Sequence, residues 1–272
     1  MKIESRAQSC PKDSNEPERP NEDALRQDKS RGIYAVSDGA GGTGIFSDLW
    51  ANYLVSHLPA KPIFSLSELN QWIDTIWESF YREREQALEN LAYPIRNKFH
   101  EQGSAATLAA LWLEGEKAHL LTYGDSHIWS FKSDDYTQKL FIPYKKTEDF
   151  EANPYLLNWK DENLSEKGFC IKSIELAQNQ ILILATDALS LYLMQHYERN
   201  YEKDEKQIEV RGKIRLTHEE INKSKAQNFD EILKNLWNVL ESEEKFSEFC
   251  REAYQKGQLL NDDYSLIFIK IS

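Results

Sequence analysis

NEDALRQDKSRGIYAVSDGAGG occupies residues 21–42 and carries an apolar run, Ile33-Tyr34-Ala35-Val36, behind a stretch of turn chemistry, Asp28-Lys29-Ser30-Arg31-Gly32. It reads as a β-hairpin with strands near 22–27 and 32–37. A hairpin returns its second strand to the edge where the first began, so Glu22 and Asp23 are expected beside Asp38.

The same grammar repeats further along. Residues 105–113 and 118–123 form a second hairpin across Glu114-Gly115-Glu116-Lys117, with the chain continuing extended towards Phe131. A third hairpin is expected between 170–176 and 181–185 across Ala177-Gln178-Asn179-Gln180, and a last strand over 264–271. Each places an acid at a strand end: Asp125 after Tyr123-Gly124, Asp187 after the apolar 181–185 run and Thr186, and Asp262 with Asp263 ahead of the final strand. Helices are expected near 45–57, near 67–91 with Ser67 as cap, and near 229–241 and 243–256. In the second of these, Leu69, Trp72, Ile73, Ile76 and Phe80 recur at three and four residues, which is a core stripe. The predicted fold is α+β: a central antiparallel β-sandwich flanked by helices in an α-β-β-α four-layer order.

One domain over 1–272 is expected, with 1–20 an irregular lead-in marked by Pro11, Pro17 and Pro20, residues 132–168 polar and poorly periodic, and 195–228 a charged surface insertion. The composition supports a core, at 40% hydrophobic and 12% aromatic residues. A net charge of −12, from 45 acidic against 33 basic residues, argues against a nucleic-acid partner. No apolar run approaches the roughly 20 residues needed to span a bilayer, and the first residues lack a secretory core, so no membrane and a cytoplasmic location are expected. Cys10, Cys170 and Cys250 are widely spaced and read as reduced thiols.

Aspartate is common at strand ends because its side chain stabilises turns, yet six at comparable positions call for more. Two carboxylates about 4 Å apart repel by roughly 4 kcal/mol at an effective dielectric of 20, so such a cluster needs protons or cations. The ligands are all oxygen, without HxH, HExxH or a cysteine pair, which favours Mg²⁺ or Mn²⁺ over Zn²⁺ or copper. His57, His100, His119, His127, His196 and His218 are scattered and read as ordinary residues. Two hard cations that share a water and clamp a phosphoryl oxygen are suited to phosphoester hydrolysis.

The ordered motifs Asn21-Glu22-Asp23, Val36-Ser37-Asp38-Gly39-Ala40-Gly41-Gly42, Gly103-Ser104-Ala105-Ala106-Thr107, Gly124-Asp125-Ser126, Ala185-Thr186-Asp187-Ala188-Leu189 and Asn261-Asp262-Asp263-Tyr264-Ser265 together resemble the metal-dependent serine/threonine protein phosphatases of type 2C, especially bacterial members. The resemblance implies two Mg²⁺ or Mn²⁺ ions: Asp38 bridging both, the Gly39 carbonyl on one, Asp187 and Asp262 on the other, Glu22 and Asp23 holding metal-bound waters, and Asp125 with Asp187 binding a weaker third ion. It implies a phosphorylated protein as substrate, a cognate serine/threonine kinase, and a flap over 143–168. The sequence departs from the pattern at Ala40, where many relatives carry histidine, and at Glu18, where an arginine usually grips phosphate; Arg19 stands one residue along and is the candidate for that role, with a solvated surface arginine as the alternative. Alanine follows Asp187 in place of the commoner glycine, and His127 follows Asp125-Ser126 in place of arginine, without loss of a ligand.

Two other functions compete. Gly39-Ala40-Gly41-Gly42-Thr43-Gly44 satisfies GxGxxG, but a dinucleotide fold needs a second strand ending in an acid about 20 residues on, and residues 58–66 hold Pro59, Pro62 and a helix start. A catalytically inactive phosphoprotein-binding or scaffold domain on the same fold is the other alternative.

Overall fold

Asp28 organises the turn of the first hairpin. Its carboxylate accepts from the Ser30 hydroxyl at 2.7 Å and the Arg31 N–H at 3.1 Å, while Gly32 takes φ +66°, where a side chain would be strained. In this computed structural model, which describes residues 1–12, 19–133, 135–201 and 228–272, the flanking strands are β2 (Asp23–Asp28) and β3 (Ile33–Asp38), with Asp23 opposite Asp38. The second hairpin also forms. After β1 (Ile3–Cys10) and this pair come β4 (Ala105–Ala106), β5 (Leu108–Glu114) and β6 (Lys117–Tyr123), and the β5–β6 turn is led by Gly115 at φ +61°.

The remaining strands are β7 (His127–Lys132), β8 (Asp135–Ile142), β9 (Leu157–Asn158), β10 (Phe169–Glu175), β11 (Gln180–Ala185) and β12 (Tyr264–Ile271). They form one sheet in the order β1-β12-β11-β7-β8, a second in the order β10-β6-β5-β3-β2, and a small β4-β9 pair. Among the described residues every ladder is antiparallel, so Gly39 to Gly44 does not open a parallel dinucleotide-binding unit.

Alternation along each strand divides the apolar residues among three clusters. Tyr34, Val36, Leu111, Leu120, Ile128, Leu182, Leu184, Ile267 and Ile269 fill the space between the sheets. From the second sheet, Ala35, Ala110, Trp112 and Leu121 face outward onto α1 (Ser47–Ser56), α2 (Leu66–Leu88) and α3 (Tyr93–Gln102). From the first, Trp129, Ile183 and Phe268 pack against α4 (Asp187–Tyr201), α5 (Phe229–Val239) and α6 (Glu243–Gln255). The result is the expected α+β sandwich with helices on both outer faces. Trp50 of α1 is fully buried, and its indole N–H donates to the Leu157 carbonyl at 2.9 Å, so this large side chain leaves no donor unsatisfied.

Several expectations are corrected. The irregular lead-in over 1–20 contains β1, an edge strand paired to β12 from Ile3↔Ile271 to Cys10↔Tyr264. Its polarity has a cause: Arg6 and Gln8 reach from it to the Trp237 and Leu240 carbonyls, so side chains that look like loop serve as ties to α5. The third hairpin does not form. β10 is an edge strand on β6, whereas β11, buried along its whole length, must sit centrally and lies between β7 and β12. The short connector crosses the sandwich, with Leu176 buried between the sheets and Asn179 at φ 61°. The chain after Tyr123 does continue extended, as β7 through Phe131, but in the other sheet.

Residues 132–168 are not all irregular, since β8 and β9 lie there with a 3-10 turn at Thr147–Glu151. The 195–228 insertion begins inside α4, where His196, Tyr197 and Glu198 are buried; its positions 202–227 lie outside the described residues. The cap of α2 is Ser65 rather than Ser67, and α3 and α4 had no counterpart in the sequence reading. Cys10 and Cys250, far apart in sequence, are both buried in the layer where β1 packs against α6.

Candidate metal centre

The acids meet where strands from both sheets end. Asp23 opens β2 beside Asp38, which closes β3. Past Asp38 the chain is pinned from two sides: the Gly39 N–H donates to the Glu22 carbonyl at 3.0 Å, and the Ala40 N–H donates to the Ala105 carbonyl at 2.9 Å. Thr107 grips Asp38 itself, donating its N–H to the Asp38 carbonyl at 2.8 Å and accepting the Asp38 N–H on Oγ1 at 3.2 Å. That hydroxyl also lies 2.6 Å from Ser126 Oγ, so the Gly103–Thr107 and Gly124–Ser126 motifs form a single support for Asp38.

Thr186 joins the other sheet. Its hydroxyl donates to Asp23 Oδ2 at 2.8 Å and accepts the Ser265 N–H at 3.1 Å, so Asp187 at the start of α4 and Asp262 ahead of β12 are brought to the same place. Asp262 and Asp263 have different duties. Asp263 is buried and receives the backbone N–H groups of Lys12 and Glu22, each at 2.8 Å, so it ties the β1–β2 connection to the rim. Asp262, with a side chain 40% exposed, faces the open side.

Burial pushes the Asp38 carboxyl well above the usual carboxylate range, and Asp23, Asp187, Asp125 and Asp262 push it further. Asp23 is raised for the same leading reason, with Asp263, Asp187 and Asp262 adding to it and the Thr186 hydroxyl opposing. The six strand-end aspartates therefore share one electrostatic pocket. Their oxygens do not converge on one point, however: among the described residues, no group of three or more His, Cys, Asp or Glu is spaced to hold a metal ion.

The chemistry of the pocket still fits hard divalent cations, which keep several waters and need only one or two carboxylates each. The donors are all oxygen, and negative charge is in excess. The backbone also comes close: a methyl group at Gly39 would stand 2.6 Å from the Ser47 carbonyl oxygen, and one at Gly41 would stand 1.9 Å from Glu22 Oε1.

Arg19, the predicted phosphate residue, turns its guanidinium to Glu22 Oε2 at 2.8 Å. A second cation was missed. Lys12 Nζ lies 3.1 Å from Asp262 Oδ1 and 3.7 Å from Glu22 Oε2. The signal was the β1–β12 register: continuing it two residues beyond Cys10↔Tyr264 sets Lys12 opposite Asp262, but only once β1 is recognised as a strand. His127 and His196 are buried, and desolvation lowers each to about 3, so both are neutral near pH 7. His127 accepts the Tyr144 N–H on Nε2 at 3.0 Å.

Among known proteins, the family model of Protein phosphatase 2C matches residues 15–249. The serine/threonine phosphatase PstP/Ppp of Mycobacterium tuberculosis superposes with a TM-score of 0.54 at 14% identity, covering 99% of each chain. Stp1 of Staphylococcus aureus gives 0.55 at 15% identity over 100% of this chain and 96% of its own. The catalytic domain of PstP in complex with two manganese ions gives 0.56 at 13% identity over 99% of each. At such identities the solved structures show a shared fold. No curated protein sequence matches the chain. The family match stops short of Asp262 and Asp263, which the β12 pairing brings to the pocket independently. Since the matched span takes in the hairpin, the glycine loop and the strand ends that carry Asp125 and Asp187, this chain belongs to the protein phosphatase 2C family, whose members are metal-dependent.

Proposed function

We propose that the chain hydrolyses phosphoserine and phosphothreonine on proteins, with Mg²⁺ or Mn²⁺ held at this edge of the sandwich. The observation that carries the reading is that Asp23, Asp125, Asp187 and Asp262 all act on the half-buried Asp38. Two divalent cations, when bound there, would supply the Lewis acidity that lowers the pKa of water and the positive charge a phosphoryl group requires.

The chain's own residues hold and orient. Asp38, Asp187, Asp262 and the Gly39 carbonyl would ligate the two ions, and Asp125 a weaker third. Glu22 and Asp23 would orient water at the rim, with the Asp23 carboxylate fixed in direction by the Thr186 hydroxyl. Arg19 would leave Glu22 to grip the phosphate through its planar fork. No imidazole stands at Ala40, so the departing serine or threonine oxygen takes its proton from water in the site. The reading implies a phosphoprotein substrate, a serine/threonine kinase as counterpart, and a cytoplasmic setting.

A catalytically inactive phosphoprotein-binding or scaffold domain is the second reading. It is favoured by the absence, among the described residues, of three acids or histidines spaced to hold a metal. Turnover of p-nitrophenyl phosphate and a phosphothreonine peptide with Mn²⁺, with and without chelator, separates the two. The expected result is chelator-sensitive activity that falls at least about 100-fold in Asp38→Asn and Asp187→Asn while circular dichroism is unchanged. Retained phosphopeptide binding without metal-dependent turnover would establish the second reading instead.

A further inference from the structure

Lys12 is placed unusually for a surface lysine. It follows β1 in the β1–β2 connection, and its side chain is only 15% exposed. Its backbone N–H is held by Asp263 Oδ1 at 2.8 Å, so the main chain is fixed whatever side chain it carries. Its ammonium points at Asp262 Oδ1, 3.1 Å away, with Glu22 Oε2 at 3.7 Å. Glu22 Oε2 in turn receives Arg19, so two cations flank one carboxylate oxygen.

Asp262 is the outermost of the aspartates that act on Asp38, and this lysine meets it at 3.1 Å. A fixed positive charge at that distance does part of what a metal ion would do there, offsetting the repulsion among the acids. It also opposes the approach of a second cation to the same carboxylate.

We infer that Lys12 is a resident counter-ion for the Asp262 side of the pocket, which stabilises the metal-free protein and weakens its affinity for divalent cations. The inference rests on the metal reading above, and it distinguishes Lys12 from Arg19: Arg19 meets Glu22 from the exposed rim, whereas Lys12 occupies a ligand carboxylate.

The test is a Mn²⁺ titration by isothermal calorimetry on wild type, Lys12→Gln, Lys12→Arg and Asp38→Asn, paired with metal-free melting curves. Lys12→Gln should bind Mn²⁺ at least about tenfold more tightly, equivalent to about 1.4 kcal/mol, and should melt lower than wild type without metal. Lys12→Arg, which keeps the charge, should stay within about threefold of wild type. Equal or weaker Mn²⁺ binding by Lys12→Gln, with wild type binding normally, would overturn the counter-ion role and leave the metal site standing. No Mn²⁺ binding by either protein would overturn both. If Lys12→Gln bound Mn²⁺ as wild type does but lost affinity for inorganic phosphate, Lys12 would be a phosphate residue and the inference would fail.

Discussion

A methyl group added at Gly39 would meet backbone, with the Ser47 carbonyl oxygen at 2.6 Å and that of Glu22 at 2.7 Å, whereas one added at Gly41 would meet only the end of the Glu22 side chain, at 1.9 Å. Backbone held by a helix start and a sheet edge cannot yield, but a carboxylate can swing. Gly39→Ala should therefore cost stability, about 1–3 kcal/mol by denaturant unfolding. Gly41→Ala should unfold within about 0.5 kcal/mol of wild type and instead lose Mn²⁺-dependent turnover, roughly tenfold, because Glu22 is displaced from the rim. Equal stability losses in the two variants would show that Glu22 is not free to move. At this scale the acids were legible because each sits at a strand end written in local sequence: Val36-Ser37-Asp38, Tyr123-Gly124-Asp125, Ala185-Thr186-Asp187. The roles of Lys12 and Asp263 were not, because both depend on pairing across 251 residues of chain.

Ser65 and Ser67 are equally good cap residues by type, and the residue three places on decides between them. Glu68 follows Ser65 at that spacing. Its N–H donates to Ser65 Oγ at 3.2 Å and its carboxylate receives the Phe64 N–H at 2.6 Å. Asn70 stands at the same offset from Ser67, whose hydroxyl lies inside the first turn and receives only a long contact from Gln71 at 3.4 Å. Ser65→Ala should lower stability by about 1 kcal/mol and Ser67→Ala by a few tenths at most, measured by urea unfolding. The reverse order would return the cap to Ser67. Elements with their own periodicity or turn were readable in this way: β2–β3, β5–β6, α2, α5, α6 and β12. Those that failed lacked a local mark. β1 carries polar side chains that tie it to α5, and the β10–β11 connector is as short as a hairpin loop yet crosses between sheets. Only the burial of β11 on both faces reveals its central position, and burial is a property of the assembled sandwich.

The whole chain carries a net charge of −12, and the pocket concentrates acids at the meeting edge of two sheets that local sequence alone does not bring together. Repulsion among buried carboxylates makes the metal-free fold less stable than its packing allows, so a ligand that binds only the folded state should recover that stability. At about 100 times its dissociation constant, Mn²⁺ should add about 2.7 kcal/mol. For a chain of this size that is a rise of about 5–10 °C in melting temperature. Screening by salt must be separated from binding, and KCl at matched ionic strength provides the control, since it weakens exposed repulsion and leaves a buried cluster almost untouched. Asp38→Asn should behave in the opposite sense at both ends: it removes one of the repelling charges, so its metal-free melting temperature should equal or exceed that of wild type, while its gain from Mn²⁺ should shrink to a small fraction. If KCl reproduced the Mn²⁺ shift, or if Asp38→Asn gained as much as wild type, the stabilisation would belong to the general charge of the surface and not to the edge where the two sheets meet.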